Sequence, residues 1–351
     1  MTCSFACDDA GLPAWGTAPR ADFWVAVEQN GPWGAKAFTQ SRLDPAVGAA
    51  IETATLGAGG RALLIRRPAS HADHADHPRR RVLVAGGLAG TPWLLSGSVA
   101  EPDEVLGLPF ELLAEGAPDA IAARVGWLER LDGGVLLLCA NGKRDLCCAL
   151  RGRPIALELE RTAPGRVWEC THTGGHRFAP TGIVLPSGQS LARLTREVAL
   201  AALRAAEAGE LASETFGAWH DRGRGHLEPS WAVAEAYVRE LTGERSPDAL
   251  TVAPATLDGR DQAALTGRDR ESDPGQLIEI THHDGRRWLV RLTLEPHDDL
   301  PESCGKAAVA VRSWTVSVDR CGSSVGSSAA AQLSLDSLGP RTVNMISRES
   351  G

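Results

Sequence analysis

GVLLLCANGKRDLCC (residues 134–148) and, further on, HTGGH (residues 172–176) decide how this chain is read. The apolar run Val135 to Leu138 predicts a buried strand that leads straight into Cys139. Leu146 to Arg161 has helical character, with a bend or restart expected at Gly152 and Pro154. Arg166 to Cys170 and Gly182 to Leu185 predict strands on either side of the His pair. Ser190 is expected to cap an amphipathic helix carrying Leu191, Leu194, Val198, Ala201 and Ala202, stopped by Gly209. Strand, helix, two strands, helix is a compact α/β unit whose polar residues sit on loops at strand ends, where sites collect.

Four metal-ligating side chains fall in this unit: Cys139, Cys148, His172 and His176. A spacing of four would put both His rings on one helix face, but each of the glycines between them costs about 1 kcal/mol in a helix interior, so a loop is expected. Glycine there lets backbone N–H groups approach a bound group closely. Three readings follow. Closed Cys2His2 zinc sites are common, although two Cys with eight residues between them do not match the usual finger spacing. Adjacent Cys147 and Cys148 suggest a thiol-disulfide oxidoreductase, although no Cys-x-x-Cys is present and neighbouring Cys make an awkward redox pair. A 2Fe-2S cluster with two protein ligands on each iron is the third.

Upstream, residues 1 to 20 read as irregular. Phe23 to Val27 predicts a buried strand, Asp44-Pro45 caps a helix through Val47, Ile51 and Ala54, and Ala62 to Ile65 and Val82 to Ala85 predict two further strands. Between the last two lies a His71, His74, His77 repeat, read as a polar hairpin loop in preference to a metal site. The Gly86-Gly87-Leu88-Ala89-Gly90 run reads as a tight turn, since no lysine follows it. Downstream, a helix from Pro229 to Leu241 stops at Gly243, Leu277 to Thr281 and Trp288 to Leu294 form a hairpin around Asp284-Gly285, and Ala310 to Val318 adds a strand.

The 351 residues carry 36 Lys and Arg against 44 Asp and Glu, a net charge of −8. An acidic surface argues against nonspecific binding of nucleic acid or anionic membranes. No apolar run suits a signal peptide or a bilayer span, so a cytoplasmic protein is expected. In that compartment eight Cys are expected as thiols or metal ligands and not as a disulfide framework.

The runs CANGKRDLCCALRGRP and VWECTHTGGHRFAPTGIVLPSG resemble the sucrase/ferredoxin-like family of thioredoxin-like ferredoxins with bis-histidinyl ligation, whose motif is Cys, eight residues, Cys, and then His-x-Gly-Gly-His. EQNGPWGAKAFTQSRLDP, GRGHLEPSWAVAEAYVRE and ESCGK extend the similarity to roughly residues 1 to 318. The segment between Cys148 and His172 is short for the family, implying a trimmed helix-to-strand connection. The resemblance implies an α/β fold: a thioredoxin-like ferredoxin domain at 126–211, flanked by a small N-terminal α/β domain at 1–125 that admits a degenerate second thioredoxin-like unit. A C-terminal α+β domain at 212–320 and a disordered tail at 321–351 complete the expected organisation.

It further implies one 2Fe-2S cluster as cofactor, with Cys139 and Cys148 on one iron and His172 and His176 on the other, reducible one. Two thiolates bring the oxidised core to neutrality, which raises the potential above that of all-Cys plant-type ferredoxins. Each His keeps a second ring nitrogen whose proton responds to the iron's charge, so electron uptake is expected to be coupled to proton uptake. The function so implied is an electron carrier with redox donor and acceptor proteins as partners, in preference to a stand-alone enzyme; a zinc-stabilised interaction module and a thiol-disulfide oxidoreductase are the alternatives. Cys147 and Cys170 are expected in the core, and Lys143, Arg144 and Asp145 at the tip of the ligand loop or orienting it. Arg177 is expected either to raise the potential or to pair with a carboxylate, and Cys304 to pack at a turn.

Overall fold

The computed structural model describes residues 2–69, 78–255 and 275–323. The His71, His74, His77 repeat and the tail beyond Ser323 lie outside the described residues.

Two β-α-β units set the plan. In the first, β1 (Trp24–Glu28), α2 (Pro45–Gly57) and β2 (Arg61–Arg66) place β1 and β2 parallel, and β3 (Arg80–Gly86), β4 (Trp93–Val99), α3 (Pro118–Val125) and β5 (Leu128–Arg130) follow. In the second, β6 (Val135–Cys139), α4 (Leu146–Thr162) and β7 (Val167–Cys170) repeat the parallel pair, followed by β8 (Gly182–Leu185), β9 (Gln189–Leu191), α5 (Arg196–Glu207) and β10 (Asp221–Arg224). The strands run β10-β9-β8-β6-β7-β2-β1-β3-β4-β5 in one sheet. Read outward from the centre, the orders β7-β6-β8-β9-β10 and β2-β1-β3-β4-β5 are equivalent. The thioredoxin-like unit is thus matched by a second unit of the same topology, joined to it along the antiparallel β2–β7 edge.

Side chains alternate between the sheet's two faces. Phe23, Val25, Val27 and Leu64 pack with Ile51 of α2 and Ile121 of α3, while Leu136, Leu138 and Val167 pack with Ala156 and Leu159 of α4 and Ala199 and Leu203 of α5. On the other face Trp24, Ala26, Leu63, Ile65, Leu137, Cys139, Trp168 and Cys170 form one core spanning both units. Because both faces of β1 and β6 are covered, β6 is apolar throughout and β1 is apolar up to Glu28 at its end, as buried strands require. At the seam, between the two helix-side cores, Arg66 of β2 stands opposite Glu169 of β7 and is ion-paired to it at 2.7 Å. Arg153 of α4 meets the same carboxylate at 3.3 Å, and Trp33 stacks on the Arg66 guanidinium.

After β10, α6 (Pro229–Thr242) packs on a four-stranded antiparallel sheet of β11 (Leu250–Pro254), β12 (Gln276–His282), β13 (Arg286–Pro301) and β14 (Ala308–Ser323). Val233, Val238, Ile280, Trp288, Val290 and Leu292 form its core, and Gly243 ends α6 in the left-handed conformation. A buried trio, with Glu235 between Arg239 at 3.0 Å and Arg224 of β10 at 3.5 Å, ties this sheet to the first. Among the described residues no helix is long and apolar enough to cross a membrane.

The structure differs from the sequence expectations in four places. Residues 1 to 20 contain a helix, α1 (Cys3–Asp9), which burial of Cys3 and Cys7 and ion pairs from Asp8 to Arg151 and Arg193 hold against the second unit. Ser190 lies within β9, and Thr195 caps α5 by accepting from Val198 N. Pro154 interrupts no element: α4 runs through it, its flanking turns held by packing on the sheet. Lastly, β14 extends past Cys321 to Ser323, paired with Arg286.

Candidate functional site

Cys139 closes β6 and is fully buried, its N–H bonded to Thr181 O at 2.9 Å. The loop that follows is held by Asn141, which donates to Gly34 O at 3.1 Å and accepts from Lys143 N at 3.2 Å. Asp145 then caps α4 by accepting from Cys147 N at 3.0 Å. The cap fixes the first turn of the helix, and with it the directions of Cys147 and Cys148. Cys148 turns toward Cys139, and Cys147 turns away toward Cys3 and Cys304. Gly152 one turn later is demanded by contact: a Cβ there would lie 2.5 Å from Cys139 O.

The His segment leaves β7 after Cys170. Thr173 and Thr181 share a hydroxyl hydrogen bond of 2.9 Å, Gly174 and Gly175 are left-handed, and a 3-10 turn begins at His176. The loop expected from the two glycines is what forms, and it brings the His172 and His176 rings to 5.3 Å between centroids. Arg222 of β10 holds it from behind, donating to Gly174 O at 3.1 Å while its remaining donors reach Thr17. A Cβ on Gly175 would meet the Arg222 guanidinium at 2.4 Å, and the left-handed φ of 62° at this position favours glycine.

The structure brings the four sequence-predicted residues together. The Cys148 thiol bonded to its sulfur holds Cys139 well below the ordinary thiol range, with His172 and the Thr173 N–H adding to the effect against the opposing cost of burial. The same contact, with burial, raises Cys148. Burial pushes His176 down, favouring the neutral imidazole, although Asp145 pulls the other way. The Nδ1 of His172 and the Nδ1 of His176 are buried without a hydrogen-bond partner, while the Asp145 carboxylate stands 3.5 Å from His176 Nε2. Such orphans are uncommon and call for an explanation. A metal-bearing group is one, because neutral imidazole nitrogens and thiolates are what it binds.

Other expectations resolve in place. Cys170 is buried beside Cys139 in register, Arg177 faces Glu302 at 3.6 Å, and Lys143 and Arg144 are exposed. Asp145, in contrast, is buried and lies 3.5 Å from His176 Nε2. Sequence reasoning missed Arg222, which is almost fully buried and whose pKa burial lowers to about 10 against the pull of Cys139 and Cys148. Nothing local marks it, since it comes from the far edge strand of the unit. The assembly of Cys3, Cys147 and Cys304 was missed for the same reason.

No curated protein and no solved structure matches the chain. The model of one family, described as Sucrase/ferredoxin-like, matches residues 14–223, which takes in both units of the large sheet and all four ligand candidates. With more than half of its length matched in this way, the chain belongs to the sucrase/ferredoxin-like family.

Proposed function

We propose that this protein is a proton-coupled electron carrier that holds one 2Fe-2S cluster on Cys139, Cys148, His172 and His176. The observation carrying this reading is the meeting of two buried Cys sulfurs with two half-buried His rings, each with its Nδ1 buried and without a hydrogen-bond partner. A 2Fe-2S group supplies a one-electron acceptor, and with two thiolates and two neutral imidazoles its potential lies above that of an all-Cys site.

The chain's own residues do the rest. Cys139 and Cys148 anchor the strand end and the helix start, and burial of both excludes water from the thiolates. His172 and His176 ride on the glycine loop that Arg222 fixes. A proton on His176 Nε2 faces the Asp145 carboxylate, 3.5 Å away, which favours the protonated ring. Beside the ligand loop, exposed Lys143, Arg144, Leu146 and Leu150 offer a redox partner protein both charged and apolar footing.

Protein purified without oxygen is expected to be red-brown, to contain about two irons and two sulfides per chain, and to give a paramagnetic signal on reduction. His172→Ala and Cys148→Ser are expected to lose iron and colour. Reduction takes up a proton, so the potential is expected to fall as pH rises, by up to about 59 mV per pH unit where one proton accompanies the electron. Colourless protein with zinc on these four residues overturns the proposal, and a potential independent of pH removes its proton-coupled part.

A further inference from the structure

A second group of ligands sits against the first, and of its members only Asp145 enters the chemistry above. Cys3 of α1, Cys147 in the first turn of α4 and Cys304 in the turn between β13 and β14 bring three sulfurs together. The Sγ–Sγ distances are 3.5 Å for Cys3–Cys147, 3.6 Å for Cys3–Cys304 and 2.9 Å for Cys147–Cys304. A carboxylate oxygen of Asp145 completes a set whose ligand atoms all lie within 4.8 Å of one another.

We infer that Cys3, Cys147, Cys304 and Asp145 form a site for a thiophilic divalent cation, zinc by its ligand chemistry. A tetrahedral zinc with bonds of about 2.3 Å to sulfur sets its sulfurs about 3.8 Å apart. Two edges of the sulfur triangle are already within a few tenths of that value, and a cation seated between the three draws the short edge open. A disulfide between Cys147 and Cys304 would use two of the sulfurs and leave the third, with the carboxylate, unexplained.

The surroundings are built for such a site. Asp145 is oriented by Cys147 N on one oxygen and by Ser303 Oγ at 3.0 Å and Cys304 N at 3.1 Å on the other, a second layer of bonds of the kind that fixes ligand carboxylates. Cys147 stands at the N-terminus of the 17-residue α4, where the helix dipole favours a thiolate. Cys304 is half-buried, which leaves a way in, while Cys3 and Cys147 are closed off. The three sulfurs come from the beginning, middle and end of the described chain. A cation there would staple the seven-residue α1 and the β13–β14 turn to the helix that carries Cys148.

The full-length protein, isolated without chelator and analysed for zinc and iron separately, is expected to carry one zinc per chain that is independent of the iron. Cys304→Ser and Cys3→Ser are expected to lower zinc at least fivefold, Cys304→His to retain it, and His172→Ala to leave it in place whatever happens to the iron. Cobalt added to zinc-stripped wild type is expected to give an intense thiolate-to-cobalt absorption that Cys304→Ser weakens. This last reading decides the matter if the serine variants fail to fold. Wild type that holds no zinc and binds no cobalt overturns the site, as does zinc that survives both serine variants. A peptide map joining Cys147 to Cys304 by a disulfide also overturns it. Loss of zinc on His172→Ala, with zinc retained in Cys304→Ser, would place the metal at the other four ligands and defeat both proposals together.

Discussion

His226 shows how a single buried side chain sets a pH response. Burial, reinforced by Arg224 at 3.2 Å and by Arg20 and Arg239, against the pull of Glu235, lowers its pKa to about 3. In the unfolded chain it takes up a proton near its ordinary value of 6.5, so the fold has the full benefit of neutral His226 above that pH and loses it as pH falls toward about 3. The slope approaches about 1.4 kcal/mol per pH unit for one proton. Asp221, raised to about 6 by burial, works in the opposite sense: it holds a proton in the fold that the unfolded chain releases, and so adds stability as pH drops from about 6 toward 3.8. His226→Gln removes only the first effect. Its urea midpoint is expected to fall less than that of wild type between about pH 6.5 and 4, and an unchanged acid slope would show that His226 is accessible to protons in the fold.

At the scale of elements, α4 carries the site because it lies unusually close to β6. Gly152 permits that approach, with Cys139 O 2.5 Å and Leu138 Cδ2 2.7 Å from where a Cβ would stand. Glycine to alanine in an open helix gains up to about 1 kcal/mol. Here the sign reverses: Gly152→Ala is expected to destabilise by about 1–3 kcal/mol, the usual cost of overpacking, and to displace the helix start that aims Cys148. Equilibrium urea unfolding measures the first effect and iron content the second; a gain in stability would mean that the helix and strand are not in contact. The residues of α4 were legible in the sequence, but its continuity was not. Pro154 reads as a break when only local hydrogen bonding is considered, whereas Ala156 and Leu159 beyond it are buried against β6 and keep the helix on the sheet.

Across the whole molecule, two equivalent units meet at the β2–β7 edge, and their helix-side cores are separated by Arg66, Glu169 and Arg153. Glu169 is fully buried, so Glu169→Ala strands the buried Arg66 without a counter-charge. A loss of about 3–5 kcal/mol in urea unfolding is expected, as for other buried pairs broken on one side. A loss below about 1 kcal/mol would mean that water reaches the seam. The C-terminal sheet is joined to the same body through the Arg224, Glu235 and Arg239 trio, through the packing of Leu300 and Val311 against Cys7 and Phe178, and through the β13–β14 turn, whose Ser303 and Cys304 bond to Asp145. That turn places Ser303 and Cys304 directly at the start of α4.

By itself the sequence determined the strand and helix order around Cys139 to His176, the loop form of the His segment and the four residues that meet there. These rest on periodicity, glycine preference and spacing, all of which act within a few residues of one another. The tertiary structure alone decided that the first unit repeats the topology of the second, that Arg222 braces the His loop, and that Cys147 faces Cys3 and Cys304 while its neighbour Cys148 faces Cys139. Each of these depends on contacts between residues far apart in the chain. Such contacts leave no local pattern, because what selects them is the burial and pairing of surfaces that come together only on folding.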